Sequence, residues 1–296
     1  MRVLITGARG QLGYALQRVA PAGMDLVLTT REELDLASPS VIDDVRSIAP
    51  QLIINAAAYT AVDRAETDIE AAMLVNRDAV AALAEAAQSL SARLLHISTD
   101  FVFDGSASRA YVPDALTAPL GVYGSSKRAG EVAILERTGC DACIVRTAWV
   151  YETHGANFVK TMLRLMAERD RLSVVADQIG TPTWATGLAR VLWCLAVQPQ
   201  LPALLHWTDQ GVASWYDFAV AIQEEACHLG LLAGAIPIDP ITTDLYPTPA
   251  ARPAFSLLDK RETLGLLGDR IEPLHWRVAL RQMLSALSVQ TGEYRS

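Results

Sequence analysis

Val3-Leu4-Ile5-Thr6-Gly7-Ala8-Arg9-Gly10-Gln11-Leu12-Gly13 decides the reading of this chain. A short β-rich run passes directly into glycines at positions 7, 10 and 13, and Gln11–Ala20 continues with apolar residues at helical spacing. Strand, glycine turn and helix in that order form the setting of a dinucleotide site. Gly7 allows a tight turn, Gly10 lets the backbone approach a pyrophosphate, and Gly13 lets the helix pack closely. The amides at the helix N-terminus then face the phosphates. The same string without that setting would be a tight turn only.

The same alternation continues outward from the turn. Leu26–Thr29, Leu52–Asn55, Arg93–Ser98 and Ala142–Thr147 read as strands; Pro39–Ile48, Ala71–Ser89 and Ser125–Glu136 read as helices. Such alternation predicts an α/β fold, a Rossmann-type doubly wound parallel sheet, and continuous apolar runs such as Leu52-Ile53-Ile54 fit strands covered on both faces. After residue 150 the pattern loosens. Phe158–Glu168, Thr186–Val197, Trp215–Gly230 and Leu274–Leu287 read as helices, with Leu172–Val175 and Leu204–Trp207 as strands. The expected division is a dinucleotide-binding domain over 1–150 and a smaller α/β, mainly substrate-binding domain over 151–296, with some segments returning to the first sheet. Pro237–Pro253, rich in Pro and Thr, reads as an ordered loop bordering a ligand.

The chain has 296 residues, 51% hydrophobic and 20% charged, with a formal net charge of -8. That composition is globular, and its acidity argues against nucleic acid or an anionic membrane as partner. Neither a signal peptide nor an apolar run of membrane-spanning length is present, so a cytoplasmic protein is expected. Cys140 and Cys143 form a C-x-x-C, read as two ordinary thiols at a strand start because no second half-site accompanies them.

Chemistry enters with Tyr123-Gly124-Ser125-Ser126-Lys127. Residues four apart share a helix face, so Lys127 can lie near the Tyr123 hydroxyl, lower its pKa towards working pH and hold a ribose hydroxyl. Ser98-Thr99 ends the preceding strand and supplies a third hydroxyl, Thr99, to orient a substrate carbonyl. At the end of the second strand, where an acid would bind both ribose hydroxyls, stands Thr29-Thr30-Arg31. Arg31 suits a 2′-phosphate, which makes NADPH the expected cofactor and NADH the alternative. Asp35 and Leu36 are placed at the adenine.

Glycine turn, Thr99, Tyr123 and Lys127 in this order resemble the short-chain dehydrogenase/reductase plan, to which Asn55-Ala56-Ala57-Ala58 adds the Asn-Ala stretch that the superfamily carries after its fourth strand. Longer strings are similar to the dTDP-4-dehydrorhamnose reductase family through nearly the whole chain: Tyr59-Thr60-Ala61-Val62-Asp63, Ser98-Thr99-Asp100-Phe101-Val102-Phe103-Asp104-Gly105, Arg146-Thr147-Ala148-Trp149-Val150-Tyr151, Asn157-Phe158-Val159-Lys160-Thr161-Met162, Asp177-Gln178-Ile179-Gly180-Thr181-Pro182-Thr183 and Tyr246-Pro247-Thr248-Pro249-Ala250-Ala251-Arg252-Pro253. The resemblance implies hydride transfer to C4 of dTDP-4-dehydro-L-rhamnose, with Tyr123 protonating the alkoxide, Lys127 tuning Tyr123 and Thr99 assisting. It implies that Gly10, Gln11, Leu12, Asp35, Leu36, Ala57, Ala58, Tyr59 and Thr60 line the cofactor, that Asp100 and Trp149 lie against the sugar, and that Arg252 pairs with the diphosphate of a dTDP-sugar. Some members dimerise through a magnesium ion held by glutamates. Here Gly13-Tyr14-Ala15-Leu16 and Trp184-Ala185-Thr186 stand at two of those places, so no such metal is expected and the chain is read as a monomer or weak homodimer. Phe101 stands where related dehydratases place a Glu, which disfavours water loss. A 4-ketoreductase of another dTDP-deoxysugar remains an alternative, as does a non-catalytic dinucleotide-binding regulatory subunit of the methionine adenosyltransferase type.

Overall fold

The computed structural model describes residues 1–137 and 139–293; the last three positions of the expected second domain, 294–296, lie outside the described residues. The chain opens with β1 (Arg2–Thr6), α1 (Gln11–Arg18), β2 (Asp25–Thr29), α2 (Val41–Ile48), β3 (Leu52–Asn55) and α3 (Val62–Ala65). Next, α4 (Ile69–Met73), a π-helical turn over Leu74–Asp78 and α5 (Ala79–Leu90) run on without a break, so the single helix expected over Ala71–Ser89 carries an interruption. β4 (Arg93–Thr99), α6 (Val122–Leu135) and β5 (Ala142–Thr147) follow, then β6 (Val150–Tyr151), α7 (Phe158–Glu168), β7 (Leu172–Val175), β8 (Ile179–Gly180) and β9 (Thr183–Trp184). The remainder is α8 (Ala185–Ala196), β10 (Leu204–His206), β11 (Ala213–Ser214), α9 (Trp215–His228), β12 (Ile238–Ile241), α10 (Arg261–Leu267) and α11 (Trp276–Glu293).

Six strands form one parallel sheet in the order β2-β1-β3-β4-β5-β10. The chain leaves β1 in one direction to make β2, then returns to make β3 on the other side. The crevice at the carboxyl ends of β1 and β3 is therefore the switch point where doubly wound sheets bind ligands. Asn55 ends the third strand rather than a fourth, because the stretch through Asp35 and Leu36 forms turns instead of a strand.

Strand alternation sends successive side chains to opposite faces. Val3, Ile5, Leu52, Ile54, Leu95 and Val145 pack under α1 and α8. Leu4, Ile53, Leu94 and Ile144 pack under α2 and α5 on the other face, which Ile134 of α6 shares. On this second face the next side chain along each strand is polar: Thr6, Asn55, His96 and Arg146, all buried. That polar row marks where the apolar core gives way to the site.

A separate cluster gathers Tyr151, Val159, Met162, Trp184, Phe218, Ile222, Trp276 and Leu280 from β6, α7, β9, α9 and α11. α8 and β10 do not join it; β10 pairs with β5, and α8 packs against α1. The segment expected to be loop over Pro237–Pro253 contains β12, which pairs in parallel with β7. Pro240 is tolerated there because this sheet has two strands only, and each has a free edge. Cys140 and Cys143 are free thiols, and burial pushes Cys143 up to about 12.

Candidate active site

The glycine turn is a consequence of close contacts. Gly7 has φ of 69°, a left-handed conformation that glycine adopts without strain, and a Cβ there would lie 2.8 Å from the Ala57 backbone. A Cβ on Gly13 would lie 2.2 Å from the Gly7 carbonyl, so Gly13 lets α1 fold back on the turn itself. Gly13 does not line the cleft, whereas Gly7, Gly10, Gln11 and Leu12 do. At Gly10 the only close neighbour of an added Cβ is the Gly7 carbonyl, at 3.2 Å. The turn therefore presents open backbone at the N-terminus of α1, and it fits the phosphates of a dinucleotide.

The cleft that begins there has a volume of about 1080 Å³. Along one end it is lined by Arg31, Asp35 and Leu36, and along its floor by Ala57, Ala58, Tyr59 and Thr60. Arg31 is exposed and lies 3.9 Å from Asp35. Two carboxylates follow it in sequence, but both turn back on Thr30: Glu33 accepts from the Thr30 amide and Glu32 from its hydroxyl. Asp35 likewise accepts from the Ala37 amide, so each acid among the described residues of this turn has a local partner. Arg9 also lines this end and was not foreseen.

Tyr123 and Lys127 sit on one face of α6 in the cleft wall, beside Thr99 at the end of β4. Gly124 brings them there, since a Cβ on it would meet the Phe101 carbonyl at 2.2 Å. Tyr123 lies beside Thr99, whose hydroxyl favours the ionised phenol, yet desolvation outweighs it and pushes the phenol up to about 12. This reverses the expected effect of Lys127. The lysine amine is turned instead to the Ile97 carbonyl at 2.6 Å and to His96 Nε2 at 3.3 Å, and burial brings it down to about 8. The phenol keeps its proton at neutral pH, as an ordinary tyrosine also does, and is therefore in the protonated form from which it can donate. Phe101 packs edge-on to Tyr123 with ring centroids 5.6 Å apart.

Asp100 is 1% exposed and lines the cleft. Its Oδ1 accepts from Thr99 at 3.1 Å, and burial pushes it up to about 6. Trp149 has φ of 48°, unusual for a bulky residue and a mark of local strain. Its ring stacks on Trp215 at 3.6 Å and 11°, and both rings line the cleft. Arg252 lines it too, but its guanidinium is gripped in a fork by Asp63 at 2.8 and 3.1 Å and also donates to Thr248 and the Ala250 carbonyl. Any diphosphate would share Arg252 with Asp63.

Besides Arg9, sequence reading missed three residues that shape the site. Trp215 stands 66 positions from Trp149 and only the tertiary fold brings them together. Asn76 lies in the π-helical turn, fully buried, and bonds both Tyr59 backbone groups and the Ser126 hydroxyl, tying the Ala56–Thr60 loop to α6. Irregular helical turns of this kind are frequent at functional sites. His96 is the third: fully buried, it lies between Asn55 Nδ2, 3.0 Å from its Nδ1, and Lys127 Nζ, 3.3 Å from its Nε2.

A profile of the family described as "RmlD substrate binding domain" matches residues 1–289. The dTDP-4-dehydrorhamnose reductase of Burkholderia thailandensis is 40% identical over 95% of this chain and 97% of its own length. The protein of the same name from Escherichia coli K12 is 40% identical over 99% of this chain and all of its own. Among solved structures, the Bacillus anthracis dTDP-4-dehydrorhamnose reductase in complex with NADP superposes with a TM-score of 0.90 at 36% identity, covering 96% of this chain and 99% of that one. With the switch-point cleft, the glycine turn and the Tyr123–Lys127 face in place, the chain belongs to the RmlD substrate-binding family of dTDP-4-dehydrorhamnose reductases.

Proposed function

We propose that this protein reduces the C4 keto group of dTDP-4-dehydro-L-rhamnose to give dTDP-L-rhamnose, with NADPH preferred over NADH. The observation that carries the reading is that Tyr123, Lys127 and Thr99 meet in the wall of one cleft continuous with the glycine turn. The names of the full-length relatives supply the substrate, and the NADP complex of the Bacillus anthracis relative supports the cofactor.

The dinucleotide, when bound, supplies the hydride. The residues of this chain do the rest. Gly7, Gly10, Gln11 and Leu12 present backbone to the pyrophosphate, and Arg31 with Arg9 gives positive charge at the ribose end. Tyr123 gives its phenolic proton to the carbonyl oxygen as the keto group becomes an alcohol, Thr99 orients that oxygen, and Lys127 holds a ribose hydroxyl. Asp100 and the Trp149–Trp215 pair bind the sugar, and Arg252 meets the diphosphate. The division of labour follows: residues 1–150 hold the dinucleotide, and residues 151–296 mainly the sugar nucleotide. No described helix is long and apolar enough to cross a membrane, and we read the site of action as cytoplasmic and the chain as a monomer or weak homodimer.

The test is oxidation of NADPH and of NADH by the full chain with enzymatically made dTDP-4-dehydro-L-rhamnose. Fast oxidation yielding dTDP-L-rhamnose is expected. No oxidation by a protein that still binds dinucleotide would move the reading to another dTDP-keto-sugar or to a regulatory subunit.

A further inference from the structure

The helix that carries Tyr123 begins without a cap of its own. Tyr123 is the second residue of α6, and the residue before the helix is Gly121, which has no side chain to offer. No acid lies in the first turn either. The first amides of a helix have no partner within it and take one from outside. Here Glu66 supplies it from 56 positions away: its Oε1 accepts from the Val122 amide at 2.8 Å. A carboxyl group also suits the positive end of a helix. Gly121 leaves room for it. The close neighbours of a Cβ there would both be Glu66 atoms, Oε1 at 2.6 Å and Cδ at 3.6 Å.

Glu66 follows α3 directly, and α3 is held on several sides. Ala65 is fully buried. Asp63 accepts from Arg252 at 2.8 Å and from the Ala250 amide at 3.2 Å, and Asp68 accepts from the Tyr59 hydroxyl at 3.1 Å. The capping group is thus presented from a fixed base. Further along α6 the anchors are different. Ser126 accepts from Asn76, Lys127 donates to the Ile97 carbonyl, and Glu131 accepts from Arg146. These hold the helix from Ser126 onward. Its first turn, which carries Tyr123, is met by the Phe101 carbonyl at Gly124 and by Glu66 at Val122.

We propose that Glu66 is a positioning residue for Tyr123: by capping α6 through the Val122 amide it sets where the first turn lies, and so where the phenol stands beside Thr99. Glu66 does not line the cleft, so it acts on the reaction only through the helix. Loss of the cap shifts Tyr123 and leaves Lys127, one turn further on and anchored by Ile97, in place. The inference rests on Tyr123 being the proton donor of the proposed reaction.

The experiment compares Glu66→Ala, Glu66→Gln and Gly121→Ala in the full-length protein. Glu66→Gln keeps an oxygen for the amide. Gly121 has extended backbone, with φ of -140°, that alanine adopts freely, so Gly121→Ala only drives the Glu66 carboxyl group off Val122. Glu66→Ala and Gly121→Ala should each lower kcat about ten- to a hundredfold, as a misplaced reacting group does, with NADPH affinity unchanged. Glu66→Gln should retain most of kcat. The double variant Glu66→Ala/Gly121→Ala should lose no more than Glu66→Ala alone, because the clash is gone. Full kcat in Glu66→Ala overturns the proposal, and so do additive losses in the double variant. NADPH affinity falling in step with kcat overturns it too, since the cap would then hold the whole helix. If Glu66→Ala does not fold, Gly121→Ala decides by the same two readouts. A substrate-free arm reads hydrogen exchange of the Val122 amide and the NOE between the Phe101 and Tyr123 rings. Faster exchange with a weaker ring contact is expected in both alanine variants; an unchanged ring contact overturns the proposal. If the wild type does not reduce the keto-sugar, the reductase reading fails while this arm still decides whether Glu66 positions Tyr123.

Discussion

Two fully buried carboxylates flank the end of β4, and they are treated in opposite ways. Behind the strand, Glu131 is saturated: Oε1 accepts from Ser98 at 2.5 Å and from Arg146 Nε at 2.8 Å, and Oε2 from Arg146 Nη2 at 2.7 Å and Arg128 at 3.1 Å. In front, Asp100 has one oxygen bonded to Thr99, no guanidinium beside it among the described residues, and only the Ser256 hydroxyl as a further polar influence. A buried carboxylate needs a partner or it takes up a proton. Glu131 has its partners and pins α6 to β5 and β4. Asp100 lines the cleft instead, and burial pushes its value up to about 6, outweighing the opposing effects of Ser256 and Thr99. The back of β4 is built for anchorage and the front for a ligand.

Each side of that contrast predicts its own losses. The largest belongs to the front: Tyr123→Phe should lower kcat by about 10²- to 10⁴-fold while leaving dinucleotide affinity and Tm nearly unchanged. Steady-state turnover with titration of NADPH binding reads it, and undiminished kcat would remove Tyr123 as proton donor. Glu131→Gln belongs to the back. It leaves the Arg146 guanidinium buried without its counter-ion and should cost roughly 3–5 kcal/mol of stability by urea denaturation. If that variant kept its stability and lost only turnover, the division between front and back would fail.

Asp100→Asn should act through pH. The folded carboxyl keeps its proton up to about 6, whereas the unfolded one loses it near 3.8. Between those values the folded state binds more protons, so wild-type stability falls as pH rises through the window and is flat above it. The fall should amount to about 3 kcal/mol and be absent from Asp100→Asn. Urea titrations across about pH 4 to 7 would show parallel curves if Asp100 carried no such burden. Ser98→Ala, removing one of four bonds to Glu131, should cost about 1.5–3 kcal/mol with kcat retained. A loss of turnover larger than the loss of stability would mean that Ser98 sets the position of Thr99.

Much of this was legible in the sequence. The glycine turn was, because strand, turn and helix adjoin in the chain, and so were Thr99, Tyr123 and Lys127, whose spacing is local. The apolar alternation of Leu4, Ile53, Leu94 and Ile144 also announced the sheet. What escaped depends on contacts between distant segments. Nothing in Leu74–Asp78 signals a π-helical turn, which follows from Asn76 bonding Tyr59 and Ser126. The Trp149–Trp215 stack joins the end of β5 to the start of α9. The direction of the Tyr123 shift was missed because spacing placed Lys127 nearby but could not reveal that Ile97 and His96 hold its amine. Arg252, read as a diphosphate partner, lines the cleft, but its fork with Asp63 requires a fold that joins residues 189 positions apart.

The return of α8 and β10 to the first sheet bears on how the protein is made. When a ribosome has synthesised 150 residues, β1 to β5 exist but α1 lacks the helix that covers it. Leu188, Val191, Leu192 and Leu195 are still unmade, and Val3, Ile5, Leu52 and Ile54 have a bare side. The nascent sheet is a sticky intermediate for as long as that lasts. The two halves of the molecule therefore mature as one, and a gene cut at the boundary between cofactor and substrate residues would yield a fragment that aggregates rather than a small dinucleotide-binding protein.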